Sequence, residues 1–178
     1  MSEAQEPTQS PSAITALIRG ARGAEREWRR AGCAISTDKR RLDVDVIHGY
    51  LVRSYWAEGI PRSVVETSIE NSLCFGLYDA VNAAREKQIG FARLVTDGAT
   101  FAYLADVFVL EEFRGRGLSK WLMQTIVALP ELAGLRRWNL ATRDAHGLYR
   151  QFGFVVLAAP DRYMERLQLD VYKRANTR

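Results

Sequence analysis

Residues 101–124, FAYLADVFVLEEFRGRGLSKWLMQ, hold the residue types and spacing most able to do chemistry. An apolar run ends at Val109. A short acidic turn follows, and Arg114-Gly115-Arg116-Gly117-Leu118-Ser119 opens directly into an amphipathic run. The first turn of a helix carries unpaired N–H groups and a partial positive charge. Glycines let the backbone take φ > 0 and approach a ligand closely, and two arginines add fixed positive charge. Together these features make a cradle of main-chain donors suited to a di- or polyphosphate; a plain strand-to-helix turn with glycines for geometry is the alternative. Other phosphate motifs fit worse. A Walker A loop is absent. The third glycine of a dinucleotide fingerprint is missing near Trp121, as is an acidic residue on a following strand.

Positioning that junction takes a sheet and helices. Periodicity predicts a helix over 43–56, with Val46, Ile47, Tyr50, Leu51 and Tyr55 at three- and four-residue spacing. A second short helix follows Pro61, with Val64, Val65, Ser68 and Ile69. Strands are predicted over 33–37, 73–78, 88–96 and 101–109, the last two joined at Asp97-Gly98, a hairpin signal. A helix over 117–129 places Leu118, Trp121, Leu122, Ile126 and Leu129 on one face, and Pro130 ends it. A strand at 138–141, a short helix at 145–151, a strand at 154–158 and a last strand candidate at 164–171 complete the order. The class is mixed α/β (α+β) around one sheet. Residues 1–12 are polar and read as a disordered tail, and 13–31 as a helix weakened by Gly20 and Gly23. The expected organisation is an N-terminal extension over 1–32, partly disordered or helical and loosely docked, one domain over 33–172, and a tail over 173–178.

Composition narrows the classes. The chain has 178 residues, and roughly 100–200 residues make one domain. With 47% hydrophobic and 26% charged residues it matches an ordinary globular protein. No stretch approaches the ~18 apolar residues of a membrane span, and residues 1–12 lack the apolar core of a secretory signal. Cys33 and Cys74 are too few for a disulfide framework or a zinc quartet and read as buried small hydrophobes in a reducing, cytoplasmic setting. The net charge of +4 is spread, with Glu25 and Glu27 among Arg19, Arg22, Arg26, Arg29 and Arg30, so no nucleic-acid stripe is expected.

The loop at Arg114 to Ser119 resembles the R/Q-x-x-G-x-G/A loop of the GNAT N-acetyltransferase superfamily, with Ser119 in place of the final Gly or Ala. Ala145-His146-Gly147-Leu148-Tyr149-Arg150-Gln151-Phe152-Gly153-Phe154 is similar to the family's A-x-x-[LF]-Y-x-x-x-GF signature. The resemblance covers about residues 33–172. It implies a mainly antiparallel twisted sheet with helices on both faces, acetyl-CoA as co-substrate and no metal. Backbone amides of Arg114, Gly115, Arg116, Gly117, Leu118 and Ser119 would hold the pyrophosphate. The main chain at Val107, Phe108 and Val109 would pair with pantetheine amides, since this strand splays from the next in the family. Thr142 falls near a polar CoA contact, and Tyr149 occupies the position of the tyrosine that protonates the leaving sulfur.

The resemblance implies acetyl transfer from the thioester to an amine, and the expected acceptor is the primary amine of a small molecule, by direct attack. A protein or peptide acetyltransferase and a non-catalytic acyl-CoA-binding regulator are the alternatives, and a homodimer stays open. For the general base, the resemblance points to the strand before the loop, where many family members carry Glu; the aligned position here is Ala105. Its neighbour Asp106 is a lone carboxylate in an apolar run. Strand alternation points it to the other face unless a bulge re-aims it. It acts either as a base through water or as a hydrogen-bonding anchor for neighbouring backbone. His146 reads as a partly exposed helix residue, His48 as structural, and Asp144 as an N-cap. Tyr55, Trp56 and Phe75 are the acceptor-pocket candidates, because aromatic rings bind cations and apolar bodies.

Overall fold

The computed structural model describes residues 11–81 and 86–172. The expectations for residues 1–10 and 173–178 lie outside them. Strands β1 (Glu27–Arg30), β2 (Cys33–Ser36), β3 (Leu73–Asp79), β4 (Lys87–Thr96), β5 (Phe101–Val109) and β6 (Arg137–Asn139) form one sheet in that order. All neighbours are antiparallel except β5 and β6, which run parallel. Helices α1 (Pro11–Arg19), α2 (Val44–Leu51), α3 (Arg62–Glu70), α4 (Leu118–Val127) and α5 (His146–Tyr149) complete the frame.

Strand alternation builds two cores. Leu73, Phe75 and Leu77 of β3 face α1 and α4, and meet Leu17, Leu122 and Ile126. Cys74, between them in sequence, faces α2 and α3, and meets Ile47, Leu51, Val65 and Ile69. Both cysteines are buried; burial pushes the Cys74 thiol up to about 12, so it behaves as a small hydrophobe. No helix among the described residues is long and apolar enough to cross a membrane.

Helix α2 starts where Asp43 caps it. The Asp43 carboxylate accepts N–H bonds from Asp45 and Val46 at 3.0 and 3.1 Å. Replacing Asp43 with Ala should cost about 1 kcal/mol. For a chain of this size the melting temperature then falls by roughly 2–4 °C, read by thermal unfolding.

Several expectations need correction. The helix predicted over 43–56 ends at Leu51, whose carbonyl accepts the Ser54 hydroxyl at 2.7 Å, so Tyr55 and Trp56 lie outside it. The N-terminal helix stops at Arg19, where Gly20 turns left-handed at φ 65°. Residues 27–30 are not helical but form β1, joined to β2 through Ala31 and Gly32, both at positive φ. The boundary at 32/33 therefore cuts a hairpin. Nor is α1 loosely docked: Ile14 and Leu17 are buried in the core. Residues 154–158 and 164–171 are not strands. β6 is only three residues long and offers them no ladder, and Val155, Val156, Leu167 and Leu169 stand exposed.

Candidate active site

The glycine-rich loop lies at the C-terminal end of β5, where a parallel β5–α4–β6 crossover begins. Ligands of α/β sheets gather at such strand ends. Gly115 and Gly117 are both left-handed, at φ 77° and 73°. A Cβ at either would meet nothing within 4 Å, so the loop has open space in front of it. Gly117 is the N-cap of α4 and brings no side-chain cap. The first-turn N–H groups of a ten-residue helix are thus left for a ligand. The Leu118 side chain is buried, so Leu118 offers only its main chain.

Arg114 has a different part from a free phosphate ligand. Its Nε donates to the Val109 carbonyl at 3.0 Å, and its Nη2 donates to the Tyr50 hydroxyl at 2.9 Å and to Glu111 at 3.1 Å. The guanidinium ties the loop to the end of β5. Arg116 is exposed, with its guanidinium 5.7 Å from the Phe113 ring.

β5 and β6 pair only from Phe101 to Tyr103. Past Tyr103 the β6-facing edge of β5 has no strand partner among the described residues. The Phe108 and Val109 side chains are buried, so they face the gap with main chain only. Two cavities flank Val107. One of about 460 Å³ is walled by Arg53, Arg114, Arg143 and Glu111. The other, of about 340 Å³, is walled by Tyr103, Ala105, Asp106, Thr142, Tyr149 and Tyr172. Tyr55, Trp56, Val107 and Asp144 belong to both walls. A larger hollow of about 710 Å³ beyond β6 contains none of the predicted site residues.

Tyr55 and Trp56 stand in the connection between α2 and α3, edge to face at 4.9 Å. The Tyr55 hydroxyl accepts the Arg143 N–H at 3.0 Å, and the Arg143 guanidinium stacks on the Tyr55 ring at 3.9 Å. Phe75 is corrected: it is fully buried in the α1/α4 core, 6.5 Å from Trp28, and does not face this cavity. Tyr103 and Tyr172 were not anticipated. The outward position of Tyr103 on β5 was a usable signal; nothing local pointed to Tyr172.

Tyr149 is buried in α5, edge to face with Phe154 at 5.9 Å. Burial, with Tyr55 and Asp144 adding to it, pushes its hydroxyl up to about 12. Thr142, not Asp144, serves the start of this turn: its hydroxyl accepts the Ala145 N–H at 3.0 Å, while Asp144 pairs with Arg143 at 3.5 Å. His146 is exposed, and His48 Nε2 lies 3.0 Å from the Ile60 carbonyl, a structural contact.

Asp106 sits in a β-bulge. Phe91 pairs with Phe108 and Arg93 with Ala105, so β5 fits two residues opposite the single Ala92. Asp106 takes φ 54° there, a conformation that costs a non-glycine residue on the order of 1–3 kcal/mol. The bulge turns its carboxylate into the cavity beside Ala105. One oxygen accepts from Arg93 Nε at 2.7 Å and the other from Trp56 Nε1 at 3.3 Å.

Residues 70–156 match the family model of the acetyltransferase (GNAT) domain. A protein of Gibberella zeae assigned as an acetyltransferase is 33% identical over 138 residues, 68% of this chain and 78% of its own. Serotonin N-acetyltransferase 2, chloroplastic, of Oryza sativa subsp. japonica is 29% identical over 131 residues, 70% of this chain; the match spans 62% of that protein's length. The crystal structure of a protein from Xanthomonas campestris pv. campestris, assigned to the same family, is 47% identical. It superposes with a TM-score of 0.74, over 81% of this chain and 99% of that one.

Proposed function

The chain belongs to the GNAT family of acetyltransferases, and from that membership we propose that it moves an acetyl group from acetyl-CoA to the primary amine of a small molecule by direct attack. One observation carries the reading. The uncapped glycine loop, the unpaired edge of β5 and the cavity at Tyr149 follow one another along a single strand end.

The residues fit the co-substrate. Left-handed Gly115 and Gly117 leave room for a diphosphate, and the N–H groups at the start of α4 hold it. The open edge of β5 gives amides of an extended arm a strand to pair with. Acetyl-CoA supplies an acetyl group activated as a thioester. The cavity walls do the rest. Turning a lysine-like ammonium of pKa ~10.4 into its free base near pH 7 costs roughly 4–5 kcal/mol. Tyr55 and Trp56, with Asp144 beside them, receive that ammonium, and its proton passes to water before attack. Tyr149 keeps its proton at neutral pH and holds it for the departing thiolate. A cavity of about 340 Å³ suits a small acceptor, and the rice relative is named for a small-molecule primary amine, serotonin, which supports the same class.

Thiol release from acetyl-CoA, followed across small amines, amino acids, polyamines and lysine-bearing peptides, tests the proposal. Turnover with at least one small amine is expected. Turnover confined to peptides would make it a peptide acetyltransferase. Binding of CoA without release would make it a sensor.

A further inference from the structure

Among the described residues only Ala31 and Asp106 combine a side chain with positive φ. Ala31 belongs to the hairpin turn between β1 and β2, but Asp106 lies inside a strand. Such a conformation persists only when its surroundings hold it. The holder is visible. Arg93 on β4 reaches across with Nε at 2.7 Å from the Asp106 carboxylate, and its own Nη1 donates to the Ser72 hydroxyl at 3.2 Å. The ion pair is largely shielded, with side chains 18% and 10% exposed. Trp56 donates to the second carboxylate oxygen. Each oxygen accepts one of these bonds and keeps a second lone pair, but protonating the carboxylate in each turnover would weaken its pairing with Arg93.

The bulge shapes the site. In a regular strand Leu104 and Phe108 would share a face. Here Leu104 faces the α1/α4 core, while Phe108 faces α2 and α3 and stacks on Tyr50 at 3.9 Å. Val107 is left at the junction of the two cavities.

We propose that Arg93 is a positioning residue for acetyl transfer. It pins Asp106 in the bulge, and Asp106 serves by the shape it gives β5 and by seating Trp56, not as the proton acceptor. This deepens the acetyl-transfer reading of the same site and rests on it.

Three proteins test it: the wild type, Arg93→Leu, and the double variant Arg93→Leu/Asp106→Gly. Glycine takes positive φ without an anchor, so the double variant keeps the bulge without either charge. Misplacing a reacting group by about 1 Å costs on the order of 100-fold, and kcat with the preferred amine should fall by about that factor in Arg93→Leu. CoA affinity, read by calorimetry, should stay within about threefold, because the glycine loop has its own ties at Val109 and Tyr50. The double variant should recover to within about tenfold of wild type, as the geometric account requires. Crystal structures should show φ at position 106 turn negative in the single variant and positive again in the double. A double variant as inactive as the single one overturns the proposal, since the carboxylate itself would then be needed. So does an Arg93→Leu protein with unchanged φ and full activity. A wild type that turns over no amine sinks the acetyl-transfer reading and the catalytic part of this one, while φ at position 106 still decides whether Arg93 holds the bulge.

Discussion

Changing both Gly115 and Gly117 to alanine should raise the dissociation constant for CoA by about 100-fold or more, a loss of roughly 2.7 kcal/mol. The cause is the backbone. A Cβ at either position meets nothing within 4 Å, so no clash blocks the substitution. An L-residue held left-handed costs about 1–2 kcal/mol, and two such residues in one short loop bias it strongly toward negative φ. The loop then rotates its N–H groups away from the space in front of α4, and the helix dipole loses the donors that convey it to an anion. If the loop instead keeps its shape, the protein carries the strain, and its melting temperature drops by several degrees. Either way folding survives, because Leu118, Trp121 and Leu122 still anchor α4 in the core. Calorimetric titration with CoA, alongside a melting curve, reads both quantities. Affinity within about threefold of wild type, together with an unlowered melting temperature, would falsify the main-chain cradle and shift the task of binding to Arg114 and Arg116.

The loop was legible in advance because all its determinants are local: a strand, two glycines and a helix in consecutive sequence. The hairpin at Asp97 was legible for the same reason. One carboxylate oxygen of Asp97 accepts N–H bonds from Ala99, Thr100 and Phe101, all within four residues. The bulge at Asp106 was only half legible. A lone carboxylate in an apolar run announced that a partner must exist. That partner is Arg93, on a neighbouring strand, with Trp56 fifty residues away in sequence. Phe75 shows the opposite failure. Its aromatic type suggested a pocket, but it shares a face with Leu73 and Leu77 in a strand buried on both sides, which assigns it to the core. β1 was missed because Glu-Trp-Arg-Arg has no apolar alternation; pairing with β2 defines it. Residues 154–158 misled for the reverse reason. Their β-branched composition fits a strand, yet a strand exists only where a neighbour offers its edge.

Replacing Tyr149 with Phe should lower kcat by about 100-fold and leave CoA affinity unchanged, at the low end of what a positioned acid contributes. The low end follows from its environment. Burial pushes the Tyr149 hydroxyl up to about 12, whereas a thiol titrates near ~8.5. Complete transfer of the proton to the leaving sulfur is therefore uphill by about 5 kcal/mol. Tyr149 then acts by donating a strong hydrogen bond as the carbon–sulfur bond lengthens, with water completing the transfer. The sign of the pH dependence follows. A group with a raised pKa holds its proton until the pH nears that value, so Tyr149 stays protonated from pH 6 to 10. The wild-type rate should climb through this range as the amine loses its proton, with no alkaline fall. The Tyr149→Phe rate should climb in parallel, displaced downward. A wild-type profile that turns down between pH 8 and 10, and a variant profile that does not, would show Tyr149 titrating within the working range. Its burial would then have to be relieved when the co-substrate binds.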